Sequence, residues 1–522
     1  MASVEIAASS VSGDNPLFKN VSWNIVGLSA PSLVALYAFP RLIHGFGADR
    51  FGMLTLVWAL VGTASIFDLG LNRALTAALS TRMAEGSAKR GINDLIWISL
   101  LCVGLAGAAV GCGVALAAPW LVHSYLNIPH GLQIDALRSL RILGLCIPCV
   151  LGANAFIGIL AALHRFDYIN AVRIPAGIVS FVGPLISLHF SANVSAAVIA
   201  LTVARASGLL AYAFLCLRLI PTLLKFRRIK WDLLPSLLQT GGWMTVSTVV
   251  STVNGNIERF ILGSLCTLTV VAHYATPNEI ISRTSVISVA ISGVLFPSFA
   301  SHASRYARTG LREVCTQGHR YLLMAAFPLL FTIAAMAEPG LRLWLGWEFA
   351  AASWRILQIL AVCGFLNSLN QMPLALLQAS GNSKTCARFQ LLEAPFYLLS
   401  MWASVTLFGG IGAAGVNALR LIVEMTFFMW AARRVLGEFG KSLRTSVVAV
   451  APCLLAFGAA MALTTDVSRL VLLSCVLACF FTVSWRYLIP HSSKARLSRR
   501  AIESWVMSTF RLEYGKSVAP EP

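Results

Sequence analysis

Between residues 241 and 300 the chain reads GGWMTVSTVVSTVNGNIERFILGSLCTLTVVAHYATPNEIISRTSVISVAISGVLFPSFA. Two membrane-crossing helices fit that stretch, yet Glu258-Arg259 and the pair Glu279 and Arg283 lie inside it. A charge at mid-bilayer costs at least about 2.5–3.5 kcal/mol, so charges kept there face protein or water rather than lipid. The hairpin therefore reads as one wall of a polar cavity. An arginine guanidinium is a planar fork of five donors, matched to phosphate and carboxylate oxygens. Asn254, Asn256 and Asn278, with Asn24, Asn72 and Gln371 elsewhere, offer hydrogen bonds to a polyhydroxylated ligand, and equally serve as caps or interhelical contacts. Arg73, Arg205 and Arg420 also fall in apolar sequence. Glu279 with Arg283 and Arg420 with Glu424 are spaced i, i+4, so mutual neutralisation on one helix competes with a ligand role.

Long apolar helices must position these residues. Of 522 residues, 57% are hydrophobic and 12% charged, with a mean hydropathy of +0.76. Soluble domains hold about 25% charged residues, so the chain is expected to be an all-α polytopic membrane protein. Spanning-length segments fall at 21–42, 51–75, 95–122, 137–163, 171–188, 196–219, 237–265, 268–299, 321–345, 355–379, 389–408, 411–435, 446–463 and 469–489, about fourteen crossings. The net charge of +19 fits an anionic cytoplasmic lipid face better than nucleic acid. Most of the twelve cysteines, such as Cys102, Cys146, Cys363 and Cys479, sit in apolar runs as packing residues, the Cys146-Ile-Pro-Cys149 spacing included. His164 and His273 have no ligand partners at metal spacing, so no metal and no cofactor are expected. No cleavable signal peptide is evident in residues 1–20.

With a cytoplasmic N-terminus, roughly four times as many Lys and Arg fall on the cytoplasmic side as on the other, which puts both termini there. An internal duplication is visible as well. Arg141-Ile-Leu recurs as Arg355-Ile-Leu 214 residues later, Arg205 as Arg420 after 215, and Trp23 as Trp243 after 220. A six-helix unit used twice explains these offsets, giving two pseudo-symmetric lobes related by an axis along the membrane normal. The expected division is a cytoplasmic tail (1–20), an N-lobe (21–219), a basic linker (220–236), a C-lobe (237–436), two extra crossings (437–490) and a basic cytoplasmic tail (491–522).

Phe51-Gly52, Phe67-Asp68-Leu69-Gly70-Leu71, Glu258-Arg259-Phe260, Tyr274 and Phe296-Pro297 resemble the polysaccharide-biosynthesis (Wzx-type) lipid-linked oligosaccharide flippases. That family sits in the superfamily of multidrug, oligosaccharidyl-lipid and polysaccharide exporters. The resemblance covers most of crossings one to twelve through short motifs. It implies a MATE-like fold around a central cavity lined mainly by crossings one, two, seven and eight. It also implies an undecaprenyl-pyrophosphate-linked oligosaccharide as substrate, moved from the cytoplasmic to the periplasmic leaflet of a bacterial inner membrane. A polysaccharide polymerase and a chain-length regulator are the implied protein partners.

On that reading Arg283, Arg259 and Arg73, with Asn254, Asn256 and Asn278, are substrate-binding candidates. Asp68, Glu258, Glu279, Arg205, Arg420 and Glu424 are coupling or structural charges, and Glu393 is grouped with the structural pairs because crossings six, eleven and twelve are peripheral in the family's fold. At about 1.5 Å per residue, Arg283 lies in the middle to inner half of the bilayer and Arg259 in the outer leaflet. The arginines would then form a ladder along which rocking lobes pass an anionic headgroup outward, with the membrane potential contributing about 2.3 kcal/mol per charge per 100 mV. An ion-coupled drug antiporter of the same superfamily is the competing reading, and its cavity should be dominated by carboxylates. A membrane glycan polymerase or ligase is the weaker one. It needs an acceptor site on sizeable outer loops, whereas the longest here spans about fifteen residues near 123–135, and no nucleophile triad or Asp-x-Asp site accompanies it.

Overall fold

The computed structural model describes residues 31–64, 92–221, 249–304, 308–437 and 448–486, less a few isolated positions within those ranges, together with 67, 75 and 79. Among them the chain is helical throughout. In order the helices are α1 (Leu33–Phe46), α2 (Ala48–Thr63), α3 (Ile92–Trp120), α4 (Gln133–Ala162), α5 (Phe166–Phe190), α6 (Val194–Leu219), α7 (Ile257–Leu265), α8 (Leu268–Ser304), α9 (Arg308–Ala335), α10 (Ala337–Leu345), α11 (Trp347–Ala379), α12 (Ser383–Leu436), α13 (Val450–Ala462) and α14 (Asp466–Val483). Eight spans among the described residues are long and apolar enough to cross a bilayer. Their outward faces stay apolar: Leu116 is 82% and Phe396 71% exposed, as expected where lipid rather than water is the solvent. The tails, most of the linker, Trp23, Asn24, Asp68, Asn72, Arg73 and Trp243 lie outside the described residues.

Two lobes pack separately and then against each other. In the first, α3 lies on α4, α4 on α6 and α5 on α6; in the second, α8 lies on α9 and α11, and α11 on α12. α12 is two crossings in one hydrogen-bonded run, broken at Gly409, whose φ of 57° a side-chain-bearing residue rarely adopts. The breakpoint falls in the gap expected between crossings eleven and twelve. α13 and α14 pack outside the second lobe, on α9. There Phe457 and Phe480 meet Phe327 at 5.9 and 4.7 Å between ring centroids. Fully buried Arg469 of α14 locks this docking by donating to Glu338 Oε2 at 2.6 Å and to the Leu463 carbonyl at 3.0 Å.

The lobes are sealed together at one end, chiefly by α2 on α8. A Cβ placed on Gly52 would lie 2.0 Å from the Leu268 carbonyl oxygen, so only glycine lets these two backbones touch. Phe51 beside it is fully buried, which gives the Phe-Gly dipeptide its physical meaning. Around this contact, Thr269 donates to Asp49, the Asn127 N–H donates to the Gly263 carbonyl at 2.8 Å, and the Trp344 indole donates to the Leu36 carbonyl at 2.8 Å.

Candidate functional site

Two cavities lie on either side of α8, the first between it and the helices of the first lobe, the second within the second lobe. The first, about 470 Å³, is walled by α2, α4, α5, α6 and α8, and carries Arg173, Arg205, Arg283 and Glu279 among Trp58, Asn154, Phe181 and Tyr212. The second, about 440 Å³, carries Asn256, Glu258, Arg259, Asn278, Glu279, Asn367, Asn370, Gln371, Arg420 and Glu424. Glu279 lines both, so α8 forms the partition.

The partition is an ion triad. Glu279 Oε1 accepts from Arg259 at 2.8 Å and Oε2 from Arg283 at 2.9 Å. Arg259 is 4% exposed, and the Arg283 guanidinium also stands 5.5 Å above the Phe181 ring. Depth counting from sequence separates these arginines, because Arg259 is about 9 Å below the end of α7 and Arg283 about 22 Å below the start of α8. Their long side chains close that gap by reaching towards one carboxylate from opposite directions. The result is a single cluster at the partition where the sequence suggested successive rungs. Crossing seven is also not one straight helix: the backbone turns at Gly255 and Asn256 before α7 begins.

Glu258, the immediate neighbour of Arg259, has a different environment. It is buried, accepts the Tyr274 hydroxyl on one oxygen and the Tyr397 hydroxyl on the other at 2.8 Å, and so ties α7 to α8 and α12. Such hydrogen bonds between helices are the polar glue of a membrane bundle. Asn254 contributes its carbonyl, 3.4 Å from the Tyr397 hydroxyl, and is absent from the cavity walls, whereas Asn256 and Asn278 are on them. Arg420 pairs with Glu424 at 3.3 Å and with Asn417 at 3.2 Å, and Gln390 donates to the other Glu424 oxygen at 3.1 Å. Glu393 has both oxygens buried without a hydrogen-bond partner.

Arg205 departs from the sequence reading, as do Arg420 and Glu424, which were expected on a peripheral crossing and stand on the second cavity's wall. α6 presents Arg205 to the first cavity, not to the periphery, and it has no acidic partner among the described residues. Its Nε is buried without an acceptor. Arg173 stands on the same wall, also without an acidic partner among the described residues. Its position within the apolar run 171–188 was the available signal. Among the described residues the first cavity thus sets three arginines against one glutamate, and that glutamate is shared with Arg259. The second sets Arg259 and Arg420 against Glu258, Glu279 and Glu424. In a low-dielectric interior such an imbalance acts strongly, so the first cavity attracts anions.

Two helical lobes facing each other across charged interior cavities, within a lipid-facing exterior, define a polytopic transporter-type membrane protein. The fold is similar to that of an inward-facing multidrug resistance MATE family transporter of the MOP superfamily (TM-score 0.66, 16% identity, covering 79% of this chain and 98% of that one). It is similar as well to the lipid II flippase MurJ in an inward closed conformation (TM-score 0.65, 13% identity, covering 88% and 100%). Residues 17–302 match the sequence model of the family described as "Polysaccharide biosynthesis protein", and the chain belongs to that family. A putative O-antigen transporter of Shigella flexneri is 27% identical over 421 residues, covering 79% of this chain and 97% of that protein.

Proposed function

We propose that this protein is a flippase for a lipid-linked oligosaccharide, carrying a polyprenyl-pyrophosphate-linked sugar unit from the cytoplasmic to the periplasmic leaflet of the inner membrane for surface polysaccharide assembly. The observation that carries the reading is the arginine excess of the first cavity. A phosphate-bearing headgroup cannot cross hydrocarbon unaided, because each unpaired polar group there costs several kcal/mol. Arg173, Arg205 and Arg283 offer that headgroup charge-assisted hydrogen bonds, while the amides of the second cavity suit hydroxyl-rich sugar. The greasy chain stays in lipid, and the seal at Gly52 and Leu268 closes one end of the path while the headgroup is held. Membership in the polysaccharide biosynthesis family and the similarity to an O-antigen transporter support the same substrate class. Both termini on the cytoplasmic side, and a polymerase and chain-length regulator as partners, complete the proposal. Transport rather than covalent chemistry is its business.

The antiporter reading has one supporting observation, the carboxylate majority of the second cavity. Loss of the gene decides between them. A flippase leaves a lipid-linked oligosaccharide accumulating in the inner leaflet, and Arg283→Ala or Arg205→Gln fails to restore translocation in reconstituted vesicles. If no lipid-linked intermediate accumulates and both variants translocate headgroups at the wild-type rate, the flippase assignment is wrong.

A further inference from the structure

The Glu279 carboxylate holds two arginines that a phosphate group would need. Each guanidinium spends one N–H on it, and both Nε groups, on Arg259 and on Arg283, remain buried without an acceptor. A carboxylate with two oxygens leaves donors of this cluster unused, whereas a diphosphate brings more acceptor oxygens and more negative charge. Arg205 in the same cavity adds a third buried Nε with no acceptor. The cluster is therefore underfilled by the anion it contains.

Resting on the flippase reading, we propose that Glu279 is a built-in substitute anion: it occupies Arg259 and Arg283 while the carrier is empty, and the phosphate group of the incoming headgroup displaces it. Arg205 and Arg173, which no carboxylate engages among the described residues, make first contact with the headgroup. The phosphate then takes over Arg283, which is on the first cavity's wall, and Arg259, which is on the second's. Because Glu279 is one turn from Arg283 on the same helix, it stays within reach and re-forms the triad when the headgroup leaves. Buried Arg259 beside half-buried Arg283, with no anion between them, would be costly in the empty protein, and the return step would carry that cost. Glu279 lowers it, and in exchange competes with the ligand. The same competition excludes small anions that cannot outbid a tethered carboxylate.

Isothermal titration calorimetry in nanodiscs tests this with farnesyl pyrophosphate, farnesol and inorganic pyrophosphate as probes. Wild-type protein should bind farnesyl pyrophosphate and not farnesol, and Arg205→Gln should weaken that binding. Glu279→Gln should tighten farnesyl pyrophosphate binding by roughly tenfold or more, and should make inorganic pyrophosphate binding measurable where wild type shows little. Glu279→Asp, which keeps the charge but is too short to span both guanidinium groups, should fall between and covers the case in which the glutamine variant does not fold. Weaker or unchanged binding in the Glu279 variants, with Arg205→Gln still impaired, overturns the substitute-anion role and leaves the flippase reading standing. Failure of wild type and all variants to bind either pyrophosphate probe overturns both.

Discussion

Replacing Gly52 with alanine tests whether the seal between the lobes is a backbone contact. The added Cβ would sit 2.0 Å from the Leu268 carbonyl oxygen and 2.8 Å from its carbon, where ordinary contact begins at 3.4 Å. Both obstructing atoms are backbone, so no side chain can rotate away, and α2 and α8 must separate by at least about 1.4 Å. Forcing an extra carbon into a packed contact costs typically about 1–3 kcal/mol. Charged only against the sealed arrangement, that energy shifts the sealed population roughly 5- to 150-fold relative to arrangements in which the lobes part at this end. The three nearest atoms that the added Cβ would meet all belong to the Leu268 backbone, so the strain falls on the contact between α2 and α8. Spin labels on the exposed positions His44 and Trp347, one per lobe beside the seal, report the separation by electron–electron double resonance. The wild-type protein should show one short distance; Gly52→Ala should add a longer component and should impair coupled headgroup transfer. An unchanged distance distribution together with an unchanged melting temperature would refute the argument.

Other outcomes follow from the charged groups. Arg205→Gln should abolish or strongly slow headgroup translocation while moving the melting temperature little, since it breaks no ion pair among the described residues. Arg469→Ala should destabilise by about 3–5 kcal/mol, because it leaves Glu338 and the Leu463 carbonyl unpaired under α14, and thermal unfolding in nanodiscs measures it. Asp135→Ala removes the carboxylate that accepts the backbone N–H groups of Val194 at 2.6 Å and Ser195 at 2.9 Å, and so uncaps α6 from a neighbouring helix. About 1 kcal/mol of stability should be lost, with an early rise in hydrogen exchange confined to the first turn of α6. Tyr397→Phe removes one of the two hydroxyls donated to Glu258 and should cost about 1–3 kcal/mol, more than Ser400→Ala on the exposed side of the same helix.

Apolar run lengths located the membrane helices closely: the expected crossing 196–219 is α6 at Val194–Leu219, and 268–299 is α8 from Leu268. The reason is local, since a backbone in hydrocarbon must satisfy its own hydrogen bonds and only a long apolar helix does so within one segment. The break at Gly409 was legible for the same reason. The seventh crossing was less so, because the turn at Gly255 and Asn256 has no mark stronger than one glycine between two asparagines.

Arg205 and Arg420 show where sequence stops. They occupy matching places in the two halves, 215 residues apart, and look equivalent in composition. Four residues on, Arg420 meets Glu424 and Arg205 meets Leu209, so the sequence already determines that only one of them has a partner on its own helix. Whether a distant helix supplies the other with a carboxylate is not a property of spacing. The tertiary structure decided it by bringing α6 and α8 to one cavity, where the only glutamate among the described residues is already shared between Arg259 and Arg283. Helices are determined by hydrogen bonds within a segment, but the charge of a cavity is a sum over side chains that are near one another only after the lobes have packed.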